Sequence, residues 1–288
     1  MREDDWRERR RRHRARVEPW VAPRLARREN GQSQATDDFL FEYYPYSVGR
    51  LRTWHPGYGV VLEGDAREFL DHPAYVETDD GVTASLDWLD DQRHDRLALA
   101  IRILEGTARR EPVLGCFALH EWAMVYGLQQ DEVRHQSLPL RLSPAQIRET
   151  VDAVGLRCTH IDAYRFFTDE ATPLNSLAPT RATQPDMEQP GCLHASMDLY
   201  KYAMWFQPLV GSDLVADCFE LARSARDLDM QASPYAVSAI GLQTIPVETP
   251  EGRRTYVSEQ QSLMARTLPL RQHLIETLAR LDDTAGLH

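Results

Sequence analysis

Imidazole and carboxylate side chains recur together at three places in the chain, and these are the residue types that acid–base and metal chemistry require. In CLHASMDLYKYAMWF, His194, Asp198, Lys201 and Trp205 fall at i, i+4, i+7 and i+11, so on a helix they share one face. A carboxylate one turn from an imidazole orients the ring and raises its pKa. In CTHIDAYRFF, Cys158, His160 and Asp162 alternate at period two. An extended segment would send His160 and Asp162 out on one side, with Arg165 just beyond and Ile161, Phe166 and Phe167 around them. In FALHEWAMVYG, His120 and Glu121 are adjacent, and Met124 stands where a zincin has its second histidine. Each group also fits an ordinary structural role: a salt-bridged surface helix, a buried network, a satisfied core histidine.

His160, Asp162 and His194 would complete a two-histidine, one-carboxylate triad of the kind that holds iron, if their segments meet. Haem ligation by one histidine is the other redox possibility. No local motif supports either: a single Glu-x-x-His occurs, at Glu132–His135, where a di-iron protein carries two. The expectation is no resident metal or cofactor, with an iron- or haem-dependent helical oxidoreductase as the alternative. No P-loop, G-x-G-x-x-G or G-x-S-x-G occurs, so nucleotide-fold and hydrolase-elbow readings have no motif behind them.

The elements that must position these groups are mostly helical. The segment 37–46 suggests a short helix packing Phe39, Leu40, Tyr43 and Tyr44 inward. Apolar spacing predicts helices over 82–108, 112–128, 193–206 and 254–281, the last broken or kinked at Pro269. A helix over 143–154 opens on Ser143 as N-cap and Pro144 at the first helical position. Leu214, Cys218, Leu221, Ala225 and Leu228 form a further stripe, with an acidic face opposite that reads as solvated. Between Thr168 and Gly191 lies a long loop with four prolines, the type of segment that acts as a lid. The fold class is mainly α, a single multi-helix domain over residues 31–288 with at most a small strand element.

Residues 1–30 stand apart, with eleven arginines against six acids in a chain of net charge −11. They lack a broad apolar stripe and Pro19 interrupts them, so a solvated helical arm is expected, with phosphate binding as its functional reading. The acidic remainder disfavours an extended duplex-binding face. Four well-separated cysteines read as reduced thiols, and no run approaches the ~20 apolar residues of a membrane span. The N-terminus has no apolar secretion core, which points to a cytoplasmic protein with no membrane partner.

The runs FLFEYY, WHPGYG, FALHEWAMVYG, CTHIDAYRFFT, CLHASMDLYKYA and LVADCFELARSARDLDMQASPY resemble a group of bacterial, mainly actinobacterial, proteins that carry the label 3-methyladenine DNA glycosylase. The resemblance covers roughly residues 39–280. Gln34–Ala35 depart from it where His-Pro is usual, and Ala236 where Asp is usual. It implies a hydrolase that cleaves the N-glycosidic bond of an alkylated nucleobase, nucleoside or nucleic-acid lesion. A carboxylate would stabilise an oxocarbenium-like state, and the base would stack on aromatics. On that implication Asp162 or Asp198 is the carboxylate, and His160 or His194 the protonating or orienting group, with Arg165 beside them. Tyr164, Phe166 or Trp205 is the stacking surface, and His120, Glu121 and Lys201 are further substrate contacts.

Overall fold

A computed structural model describes residues 1–32, 34, 36–133 and 138–286, so Ala35 and His135 lie outside the described residues. The fold is mainly α, as the periodicity predicts. Its helices are α1 (Glu3–Glu29), α2 (Phe39–Tyr43), α3 (Val48–Arg52), α4 (Asp91–Arg109), α5 (Leu119–Ala123), α6 (Pro144–Val154), α7 (Ile161–Tyr164), α8 (Gln184–Met187), α9 (Leu193–Trp205), α10 (Ser212–Ala232) and α11 (Pro250–Ala285). Strands β1 (Val61–Leu62), β2 (Tyr75–Thr78) and β3 (Gly81–Ala84) form one antiparallel sheet in the order β1-β3-β2. The chain divides into two compact units, one of Met1–Arg102, Leu199–Glu220 and Leu270–His288, the other of Ile103–Asp198 and Leu221–Pro269. The expected division, an arm over 1–30 and one domain over 31–288, is not where these units part.

In the first unit α1 is no solvated arm. Trp6, His13, Val17 and Val21 are fully or almost fully buried, a stripe only one residue wide at i, i+7, i+11 and i+15. The Trp6 indole donates to the Glu63 carbonyl at 3.0 Å, and the terminal ammonium of Met1 donates to the Val61 carbonyl at 2.6 Å. Pro19 and Pro23 lie one turn apart on the exposed side, so water can satisfy the carbonyls they leave unbonded and the helix runs on unbroken. The helix expected over 82–108 begins only at Asp91. Val82 and Thr83 pair with β2 instead, because Asp79-Asp80-Gly81 makes a hairpin turn and β-branched residues suit the strand that leaves it. Gly81 has φ 137°, and a Cβ there would overlap the Leu62 carbonyl. At residues 39–43 the expected short helix forms, with Leu40 and Tyr44 buried.

His55, buried beneath this sheet, bonds Tyr75 through Nδ1 at 3.0 Å. Burial, with help from the charges of His72, Arg50 and His13, pushes its pKa down to about 3. The unfolded chain binds a proton at this residue below pH ~6.5 while the folded chain does not, so stability must fall as pH drops from ~6.5 towards 3. The expected loss is on the order of 4 kcal/mol at pH 3. His55→Gln should flatten that part of the urea-midpoint-versus-pH curve. A variant curve parallel to the wild type over this range would refute the assignment.

In the second unit the helix expected over 112–128 contracts to α5. Phe117 and Ala118 both adopt positive φ, 47° and 54°, immediately before it, and Gly127 at φ 81° follows it. Two consecutive non-glycine residues in the left-handed region are strained, so the surrounding packing must hold them there. Trp122 supplies part of it, fully buried and donating to the Ala232 carbonyl at 2.8 Å. Ser143 caps α6 with the reciprocal Gln146 bond, as the Ser-Pro start predicts. α11 continues through Pro269, so the helix is not broken there. Within the loop over 168–191 a short 3-10 turn, Thr172–Leu174, and α8 give local order.

Candidate functional site

Five segments of the second unit converge on a row of three buried imidazoles. His194 stands in the middle, its ring centroid 4.6 Å from that of His120 and 5.3 Å from that of His160. His120 comes from α5 and His194 from the first turn of α9, while His160 is the N-cap of α7. Each outer imidazole has its own pair of buried carboxylates. Glu121 and Asp229 accompany His120, and Glu188 and Asp198 accompany His160.

The two ends differ in how their charge is met. Around His120, the buried guanidinium of Arg226 donates to Glu121 Oε1 at 2.6 Å and to Asp229 Oδ2 at 2.8 Å. Asp229 Oδ1 lies 2.7 Å from His120 Nε2 but off its N–H direction. This end therefore contains a fixed cation. Around His160, Nε2 lies 3.0 Å from Glu188 Oε1 and 3.4 Å from Asp198 Oδ2, with neither oxygen aligned for a hydrogen bond. Gln184 Nε2 donates to the same Glu188 oxygen at 2.6 Å, fixing that carboxylate. His160 Nδ1 accepts the Asp162 amide at 3.2 Å, which turns Nε2 towards the carboxylates.

These surroundings set the proton inventory. Burial alone would lower His160, but Glu188 and Asp198 outweigh it and hold the pKa up at about 10. His120 is likewise raised against its burial, chiefly by Asp229. His194 goes the other way, held well below its ordinary value by burial and by the two imidazoles that flank it. Along the row the shifts run up, down, up, the outer two set by carboxylates and the middle one by burial and its imidazole neighbours.

A cavity of about 20 Å³ adjoins the row, lined by His120, His194, Thr159, Gln189 and Tyr256 among others. Cys116, Cys158 and Cys192 also line it, all free thiols, and burial pushes Cys158 up to about 12. The space admits little more than water. As it stands it is too small for a nucleobase or a porphyrin.

Of the residues singled out from sequence, His120, Glu121, His160, His194 and Asp198 come together here. Asp162 does not. One helical turn starts at His160, so side chains 160 and 162 diverge instead of sharing a side, and Asp162 pairs with Arg181, its Oδ2 accepting from Nη1 at 2.8 Å. The triad of His160, Asp162 and His194 is corrected accordingly, because Glu188 and Asp198 take the place of Asp162. Arg165 is half exposed beside Asp162, and its guanidinium lies 4.5 Å over the Phe166 ring. Tyr164 packs edge-on against Phe167. Lys201 and Trp205 belong to the first unit, with the Lys201 ammonium over the Tyr202 and Trp205 rings.

Three residues of the row escaped sequence reasoning: Glu188, Arg226 and Asp229. Arg226 and Asp229 carried a usable signal, being opposite charges at i, i+3 beside the apolar stripe of Ala225 and Leu228. Glu188 follows α8 in the Pro-rich segment, and nothing in its local sequence announces it. Fold and site together define a mainly α protein with a buried histidine–carboxylate centre. No protein-family model, curated protein or solved structure matches the chain. Among the described residues no helix is long and apolar enough to cross a membrane.

Proposed function

We propose that the protein is a metal-dependent enzyme of oxidoreductase type, with one divalent first-row metal held by His160, Glu188 and Asp198. The observation that carries this reading is the spacing around His160 Nε2. Bonds of ~2.1 Å to a common metal place neighbouring ligand atoms ~3.0–3.4 Å apart. The two carboxylate oxygens lie at 3.0 and 3.4 Å from the imidazole nitrogen, and neither is aligned to accept a hydrogen bond from it. The other carboxylate pair holds a guanidinium, so His160 marks the end where a metal fits. One imidazole with two carboxylates suits iron or manganese better than zinc or copper, which favour more nitrogen or sulfur. The oxidoreductase type rests on that choice of metal. The small cavity beside the row reaches His120 and His194 and is lined by oxidisable Cys116, Cys158, Cys192 and Tyr256, but by none of the three ligands.

Protein produced with iron, manganese and zinc in the medium is expected to carry about one equivalent of iron or manganese per chain. Glu188→Gln and Asp198→Asn should lose it, whereas Asp162→Asn should keep it. Metal-free wild type should show a Tm that rises with added Fe(II) or Mn(II), as mass action requires of a ligand that binds only the folded state. Sub-stoichiometric metal together with an unmoved Tm would overturn the reading.

The N-glycosidic hydrolysis implied by the sequence resemblance is the second reading. His160 against Asp198 is the pairing that chemistry uses, although the cavity would have to widen to admit a base. Base release from an alkylated nucleoside by chelator-treated protein would favour it over the metal.

A further inference from the structure

We infer that the first unit carries a second, independent site, a groove that binds a small ligand bearing several phosphoryl groups. The groove encloses about 1100 Å³. Arg10, Arg11 and Arg14 of α1 form one wall, and Arg50 and Arg52 of α3 form the other. His13 pins the walls together, its Nε2 lying 2.8 Å from the Leu51 carbonyl between the arginines of α3. Glu68 and Asp71 are the acids among the lining residues, so positive charge dominates in a chain that is strongly negative as a whole.

Several of these arginines are available to an anion. Arg14 is exposed and makes no ion pair among the described residues. Arg52 Nε is shielded from solvent without an acceptor. Arg10 pairs with Glu68 at 2.6 Å, a contact open enough to water to be weak and exchangeable, while Arg52 pairs with Glu18 at 3.0 Å in a part-buried contact. His55 and His72 record the same field, for burial first, and the charge of Arg50 to a lesser extent, lower the pKa of both. Phosphate oxygens match guanidinium forks bidentately, and two opposed rows suit a chain of phosphates better than a single one.

The floor argues against a single-stranded nucleic acid. Trp54, Phe69 and Tyr75 are buried and packed on one another, with ring centroids 6.1 Å and 5.3 Å apart, so they present no open face on which bases could stack. The phosphate chain carries recognition, and inorganic polyphosphate or the tail of a nucleoside triphosphate would supply it.

Calorimetric titration of the full chain with sodium tripolyphosphate at low salt is expected to give micromolar binding, with orthophosphate at least about tenfold weaker. Arg11→Glu/Arg14→Glu should weaken tripolyphosphate by about tenfold or more, while Arg9→Glu, on the same helix outside the groove, should change it by less than about twofold. ATP binding as tightly as tripolyphosphate, or more tightly, identifies which source of the phosphate chain the groove prefers, and both results support the proposal. It is overturned if tripolyphosphate does not bind, if Arg9→Glu weakens binding as much as the double variant, or if a single-stranded oligonucleotide binds and tripolyphosphate fails to displace it. None of these outcomes depends on the metal content of the second unit.

Discussion

Replacing Arg226 by methionine is expected to cost about 3–5 kcal/mol of stability. The guanidinium is buried and bonds two buried carboxylates, Glu121 and Asp229. Methionine fills similar volume, so little of the loss comes from packing. It comes from leaving two carboxylates in a low-dielectric interior with the His120 imidazole as the remaining polar partner beside Asp229. Removing one partner from a buried ionic network costs far more than replacing the whole network by apolar residues. Arg226→Met/Glu121→Leu should therefore recover part of the loss, and the recovery measures the coupling in the double-mutant cycle. Urea midpoints of the four proteins read it out. A loss below ~1 kcal/mol in the single variant would show that the pair contributes no more than an exposed one.

Deleting Met1–Arg16 is expected to destabilise the first unit by more than about 5 kcal/mol, a large part of a domain's total stability. Trp6 alone accounts for much of this, because truncating a buried tryptophan to alanine costs ~3–5 kcal/mol. The deletion also removes the indole bond to Glu63, the ammonium bond to Val61 and the His13 bond to Leu51. Thermal scans of the deletion and of Trp6→Ala should both move far from the wild type, the deletion further. A deletion midpoint within a few degrees of wild type would mean that α1 is the solvated arm its composition suggests.

That disagreement shows where the sequence was legible. A wide apolar stripe, as in α10, or a capping signature, as at Ser143, declares itself within one turn of its own chain. α1 buries one residue every turn or two, and its stripe includes a histidine, so its composition looks solvated while its position is not. The hairpin of β2 and β3 was hidden for the opposite reason: Val82, Leu86 and Leu89 continue the helical spacing of α4 backwards, although Val82 pairs in a strand and Leu86 lies in a 3-10 turn.

By itself the sequence determined the mainly α class, the placement of His194 and Asp198 one turn apart on α9, and the presence of chemically capable histidines in three runs. These follow from periodicity and local spacing, which a chain carries without knowing its fold. Asp198 nonetheless serves His160, and the pKa of His194 is lowered where its i+4 carboxylate had suggested a rise. Tertiary structure decided which carboxylates meet which histidine. Asp162, two residues from His160, turned away to Arg181, whereas Glu188 and Asp198 arrived 28 and 38 residues later in the chain. Burying carboxylates and imidazoles demands polar partners within a few ångströms of space, and space, unlike sequence, is set by how the helices pack.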